Sequence, residues 1–350
     1  MSAPSILIVG QGLAGTVLGW SLDRAGIDWR MIDAGHEHAA SCVAAGVINP
    51  VTGQRWVKTW RVDELWPEAK QFYQDIGANL DVPLWREMKV RRYWRTDKQE
   101  RVLRSKMERG VLVPYIESID EESCVIAPVG RVDVDAMLTT ARQRWLAEGR
   151  LKEGRVDWNA LDDCDNQLVI DCTGAAARVG PFHDWEFAVS KGEVLRVSAP
   201  DLNPDQILHR GHWVLPVANE DAWLGATHEP GIDDVEPTSA AREELLATAE
   251  KLTREHFTPT AHLVGQRLAS CDMHPVVGRH PTYPNRGILS ALGSKGVLYA
   301  PWLARQWVEH LKNGNDFDLA AVVSRASART ARGGLCGSDR QRHRDGVAPA

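Results

Sequence analysis

The sequence predicts an α/β protein in which a Rossmann-like nucleotide-binding domain is interleaved with a second domain built on a mixed, largely antiparallel sheet. Three observations carry that expectation. A continuous apolar run at residues 5–9 ends on a glycine turn, as a strand buried on both faces of a parallel sheet does. Strand, glycine turn, helix and second strand then fit within residues 5–33, the extent of one βαβ unit. This rhythm lapses and resumes only near residue 130, in a chain of 350 residues that exceeds what one core usually organises.

The first helix is expected from about Ala14 to Ala25, with Gly26 as its stop, and the second strand from Trp29 to Ile32. Residues 55–130 read as short amphipathic pieces rich in Trp and Arg. Asp133 opens a helix whose Met137, Leu138, Ala141, Trp145 and Leu146 keep helical spacing, and Gly149 closes it. A strand at 168–171 runs into Cys172-Thr173-Gly174. Irregular sequence from 178 to 262 holds strands at 193–197, 213–217 and 223–225 and a helix over about 239–255. The last ordered stretch, 287–311, reads strand, Gly-Ser-Lys-Gly loop, helix. The expected division places the nucleotide domain at 1–54, 130–177 and 263–323 and the substrate domain at 55–129 and 178–262. Residues 324–350, with six Arg against two Asp, read as a disordered basic tail.

Charged residues at 25% and hydrophobic residues at 43% exclude a disordered chain. A net charge of −6 argues against broad capture of nucleic acid. The six cysteines form no CxxC pair, which suits neither a zinc site nor a secreted disulfide framework, so a reduced, cytoplasmic setting is expected. No apolar stretch is long enough to span a membrane. The fourteen Trp are expected mainly as core filler.

Gly10-Gln11-Gly12-Leu13-Ala14-Gly15 matches GxGxxG, and its context gives the match weight: it follows a buried strand, opens a helix and precedes Asp33. Gly12 would let a pyrophosphate approach the backbone at the helix N-terminus, and Gly15 would allow close helix–strand packing. Asp33, followed by Ala34, is placed to bind ribose hydroxyls. The fingerprint alone does not separate NAD from FAD. The interrupted βα rhythm and the glycine-rich closing segment favour a flavoprotein.

Several further motifs, in order, resemble the D-amino-acid oxidase family of flavoproteins, which includes glycine and sarcosine oxidases. Ser41 to Gly46, including Ala45, looks like the loop that passes the flavin. Val156 sits where the family holds adenine by a backbone group, and Val169 to Gly174, with Thr173, resembles the strand under the cofactor. Lys191-Gly192-Glu193-Val194 and Leu215-Pro216 through Thr227 resemble strands of the substrate domain. Arg267, Asp272, Pro275, Gly278 and the loop Gly293-Ser294-Lys295-Gly296 resemble the closing flavin-binding segment, whose wording is nearer the oxidase half of the bifunctional enzymes that modify tRNA wobble uridines. No cysteine stands at the family's covalent-flavin position, where Ala300 and Pro301 follow the loop, so non-covalent FAD is implied.

The resemblance implies oxidation of a C–N bond in a small amine or amino acid by hydride transfer to flavin N5, giving an imine that water hydrolyses. It implies that Arg267 grips the substrate carboxylate, the alternative being a structural pair with Asp272. Lys295 and the helix that begins beside it would stabilise charge at flavin N1 and the C2 carbonyl. His274 and His280 are expected to be structural. The alternative functions are a tRNA-modification oxidase acting on a carboxymethylamino group, drawing on Arg91, Arg92, Arg95, Arg101 and Arg104, or a flavin-binding protein without turnover. The electron acceptor, the oligomeric state and the substrate's identity are not readable from the residues.

Overall fold

A computed structural model describes residues 5–35, 39–161, 167–217 and 220–322. The tail expected at 324–350 lies outside the described residues. The chain opens with β1 (Ser5–Val9), α1 (Leu13–Arg24) and β2 (Trp29–Asp33). Next come β3 (Val47–Ile48), β4 (Val51–Thr52), β5 (Val57–Lys58), α2 (Val62–Leu80), β6 (Trp85–Tyr93), α3 (Asp97–Glu108), β7 (Ile116–Ile119) and β8 (Ser123–Val132). The chain returns with α4 (Val134–Ala147), β9 (Leu151–Glu153) and β10 (Gln167–Asp171), then leaves again through β11 (Phe187–Ser198), β12 (Gln206–Arg210), β13 (His212–Pro216), β14 (Asp221–Gly225), β15 (Glu229–Pro230), α5 (Ser239–Thr253) and β16 (Pro259–Ser270). β17 (Val276–Arg279), β18 (Arg286–Ser290) and α6 (Gly296–Asn313) close it.

The first sheet has the order β17-β18-β10-β1-β2-β9, parallel except for β17. Its centre is the apolar run β1, whose Ile6 to Val9 are buried and need cover on both faces. α1 and α6 pack on one another, and α2 packs on α6. At Gly15 an added Cβ would lie 1.9 Å from the Gly10 carbonyl oxygen, so only glycine lets α1 sit this close to the turn. Asp133 caps α4 by accepting the Ala136 N–H at 3.2 Å.

The second sheet has the order β15-β11-β14-β13-β12-β6-β8-β3, with β16 paired to the far side of β11 along its length. It is mixed, since β12 and β6 run parallel. Residues 55–130 hold longer elements than the sequence suggests: a 19-residue helix and strands of nine and ten residues. Pro67 is the sixth residue of α2, where it removes one backbone hydrogen bond and reads as a breaker in sequence, yet the helix continues to Leu80. Charged residues on the solvent side of β6 mask its alternation. The boundaries expected at 130 and 263 fall inside β8 and β16, both strands of the second sheet. A strand's own apolar pattern does not say which sheet it joins.

Most of the tryptophans are packing groups. Trp56, Trp145 and Trp307 are fully buried, and Trp145 meets Trp29 edge-on at 4.9 Å. Cys124 and Cys172 are free, whereas Cys271 is disulfide-bonded, so the expectation of a reduced setting does not extend to that position. Among the described residues no helix is long and apolar enough to cross a membrane.

Candidate functional site

One cavity of about 1160 Å³ runs from the carboxyl ends of β1 and β2 to the start of α6. Its wall includes Gly10, Gly12, Leu13, Ala14, Asp33, Ala34, Ser41, Ala45, Gly46, Val156, Thr173 and Gly174. It also includes Arg267 and the whole loop Gly293, Ser294, Lys295 and Gly296. Gly15 does not reach the cavity; its role is the close packing of α1.

At one end β2 delivers Asp33, which is only 4% exposed. Asp33 Oδ1 accepts the Gln11 N–H at 2.8 Å, and Oδ2 accepts the Gly35 N–H at 3.0 Å and Arg142 Nη1 at 2.8 Å. Arg142, from α4, also reaches Gln11 Oε1 and Glu153. Asp33 thus ties the glycine turn to β2 as well as facing the cavity. Nothing in the local sequence around residue 142 marks that arginine; only the packing of α4 brings it there. Asp33→Ala is therefore expected to weaken FAD binding and also to lower the melting temperature, because charged hydrogen bonds of roughly 1.5–3 kcal/mol each are lost. Titration of the apoprotein with FAD, alongside thermal unfolding, checks both; unchanged FAD affinity would place Asp33 outside the cofactor site.

In the middle, α1 starts at Leu13 with no side-chain cap from its own N-cap residue. The Leu13 N–H instead donates to Ser41 Oγ at 2.9 Å. A hydroxyl oxygen holds the place at the positive helix end that suits a phosphate oxygen. Beneath the cavity, Asp171 Oδ1 accepts both the N–H and the hydroxyl of Thr173, fixing that side chain, and burial pushes the Asp171 carboxyl up to about 6. Cys172 also borders the cavity, and burial raises its thiol well above the ordinary range, which keeps it protonated and unreactive.

At the far end Lys295 precedes the first turn of α6. It makes no ion pair among the described residues, and burial lowers its pKa. Arg267 projects from β16 across Gly192 of β11, where an added Cβ would lie 2.2 Å from Nη2. Its hydrogen bonds go to the Thr227 carbonyl at 3.4 Å and to His228 Nδ1 at 3.3 Å, not to Asp272. Asp272 instead accepts from Ser270 Oγ and the His274 N–H. Arginine can only donate, so His228 Nδ1 accepts and the neutral ring carries its proton on Nε2. Burial and the neighbouring Arg267 lower the His228 pKa, consistent with that neutral form. His209 and Trp213 complete this end. These three went unnoticed in the sequence, although His228 directly follows the Gly225-Ala226-Thr227 motif.

A glycine-turn βαβ unit, a buried acid at the end of β2, and a helix start beside a lysine with no ion pair among the described residues define a dinucleotide-binding fold with room for a flavin. The chain belongs to the DAO family of FAD-dependent oxidoreductases, whose sequence profile matches residues 5–310. FAD is thus its cofactor, and the residues present fit it: a long cavity, two helix starts that face it, and at one end a lysine that makes no ion pair among the described residues. The fold is similar to that of glycine oxidase from Geobacillus kaustophilus, with a TM-score of 0.73 at 20% identity over 91% of this chain and 98% of that one. Iminodiacetate oxidase from Chelativorans sp. BNC1 aligns with a TM-score of 0.71 at 19% identity, covering 90% of this chain and 96% of that one. In sequence, the chain is 23% identical to the tRNA 5-methylaminomethyl-2-thiouridine biosynthesis bifunctional protein MnmC of Marinobacter nauticus, over 89% of this chain. It spans 57% of that relative's length.

Proposed function

We propose that this protein oxidises the C–N bond of a small amine or amino acid that carries a carboxylate. The observation that carries this reading is Arg267: a half-buried guanidinium, with no acid partner among the described residues, opening into the same cavity as Lys295 and the start of α6. Burial lowers its pKa, yet arginine stays protonated, and a carboxylate would meet its unmet charge with two parallel hydrogen bonds. FAD, when bound non-covalently here, supplies a two-electron acceptor. Gly10, Gly12, Leu13 and Ala14 would hold its pyrophosphate, Asp33, Ala34 and Val156 its adenosine, and Ser41, Ala45, Gly46, Thr173 and Gly174 its middle. Gly293 to Gly296 would hold the ring system, with Lys295 offsetting negative charge there.

The structural neighbours act on glycine and iminodiacetate, both carboxylate-bearing amines, which supports a substrate of that class here. Anaerobic mixing of the purified protein with a panel of such amines, following loss of the oxidised-flavin absorbance, tests the reading. No bleaching with any amine, in protein that retains FAD, would sink it. The tRNA alternative finds less support, because the arginines of residues 91–104 do not form an open strip. Arg91 bonds Asp120, Arg104 bonds Glu100, and Arg92 is buried.

Gly192→Ala offers a second check, because its methyl would displace the Arg267 guanidinium while leaving its charge intact. The KM for carboxylate-bearing amines is expected to rise about tenfold, as one charged hydrogen bond is misaligned. Steady-state kinetics read this directly. An unchanged KM would remove Arg267 from the substrate site.

A further inference from the structure

We propose that the cavity ends, at His209, in a second anion subsite with Arg92 and Arg95 standing just behind its wall, so that the preferred substrate is an amine with two anionic groups set several bonds apart. This rests on the amine-oxidation reading and names the substrate class for the same site. β6 and β12 pair in register with His209 opposite Arg92, and β12 and β13 pair with His209 opposite Trp213. Residues opposite one another in a sheet share a face. Arg92, His209 and Trp213 therefore form one row, and the last two line the cavity. The Trp213 ring lies over Gly225 of β14, where an added Cβ would meet it at 2.7 Å. The row leads from there towards Gly192, over which Arg267 reaches.

Neither Arg92, in this row, nor Arg95, exposed beside it, has a carboxylate partner among the described residues. Arg92 is 7% exposed, stacks on the Trp56 ring at 4.0 Å and donates to the Gly53 carbonyl at 3.0 Å. Those contacts hold the guanidinium in place but do not neutralise it, and no carboxylate bonds it among the described residues. Burial pushes its pKa down to about 10. The Arg95 guanidinium packs against Gly211, with Nη1 3.5 Å from that residue's Cβ position, and it makes no ion pair among the described residues either. His209 Nδ1 is buried without a hydrogen-bond partner. Burial, with Arg92, His212 and Arg95 nearby, takes the His209 pKa down to about 3, so the ring is a neutral donor and acceptor. Gly53 and Gly211, which contact the two arginines, both line the cavity. A buried cation without a counter-ion is costly to keep, and an anionic ligand would relieve that cost.

The spacing sets the ligand's length. β11, which carries the perch of Arg267, lies three strands from β12, which carries His209. At the usual strand spacing this is roughly 14 Å between backbones. Side chains narrow the gap, but an amino acid as short as glycine would still reach only the Arg267 end. The second anion must sit at the end of a chain.

The test is calorimetric titration of the FAD-loaded protein with unreactive straight-chain dicarboxylates of graded length, each against its monomethyl ester. One length is expected to bind about tenfold or more tightly than its ester, the gain of one charge-assisted pair. Arg95→Gln, at an exposed side chain that the fold does not need, should bring that ratio to within about threefold of one. His209→Asn should lower it too. Arg92→Lys keeps the charge but loses the stacked, planar grip, and should lower the ratio less than Arg95→Gln does. Equal binding of acid and ester at every length would overturn the subsite, as would a ratio untouched by both Arg95→Gln and His209→Asn. Flavin reduction by glycine or sarcosine, run alongside, reports on the parent reading separately: bleaching with no dicarboxylate preference rejects the subsite alone. A tRNA anticodon hairpin carrying a carboxymethylamino group, if it reduced the flavin faster than every small dianionic amine, would reject the small-molecule substrate in favour of RNA.

Discussion

Gly12→Val is expected to give a folded, colourless protein. Gly12 has an ordinary negative φ of −70°, and the nearest group to an added Cβ is the Ser41 hydroxyl at 3.2 Å. The apoprotein can accept a side chain there with a small shift of Ser41. A pyrophosphate cannot, because the valine would fill the approach to the Leu13 and Ala14 amides at the start of α1. Steric exclusion and lost charged hydrogen bonds together amount to roughly 3–6 kcal/mol, at least a hundredfold in the FAD dissociation constant. The check is the absorption spectrum of the purified variant beside its thermal unfolding curve. Gly15→Val supplies the contrast, since its Cβ would strike backbone 1.9 Å away, and it should fail to fold rather than fold without colour. Stoichiometric FAD in folded Gly12→Val would move the pyrophosphate to another part of the cavity.

Arg267→Ala carries the next largest effect. Removing this guanidinium from an ion pair that a bound substrate carboxylate shields from water costs about 2–5 kcal/mol, or thirtyfold to several thousandfold in kcat/KM. Arg267→Lys keeps a charge without the planar two-point grip and should fall between Ala and wild type. Flavin content and melting temperature should stay near wild type in both, because the hydrogen bonds of Arg267 to Thr227 and His228 are long, at 3.4 and 3.3 Å, and tie no elements together. An amine without a carboxylate should respond little to either change. Lower stability, poor flavin retention and equal loss with both kinds of substrate would mark Arg267 as a fold residue.

The nucleotide half was legible because its physics is local. A strand buried on both faces must be a continuous apolar run, a helix that starts against a phosphate needs glycine, and both lie within 29 residues here, from Ser5 to Asp33. The closing loop at Gly293 to Gly296 was legible for the same reason. The second sheet was less so. β6 and β8 are long, but their outward residues are charged, and the helix between β5 and β6 contains a proline. Their lengths came from pairing with each other and with β12, which no window of sequence displays.

By itself the sequence determined the βαβ start, the acid at its end, the interruption of one sheet's strands by those of another, and the candidate arginine and lysine of the site. The tertiary structure alone decided what those groups face. Arg142 reaches Asp33 across 109 residues, and Arg267 meets His228 across 39. Arg92 stands beside His209 because β6 and β12 run parallel in register. Parallel pairing and strand order depend on burial shared among distant segments, so they are properties of the packed whole. A charge's partner, or its want of one, is fixed only when those segments meet.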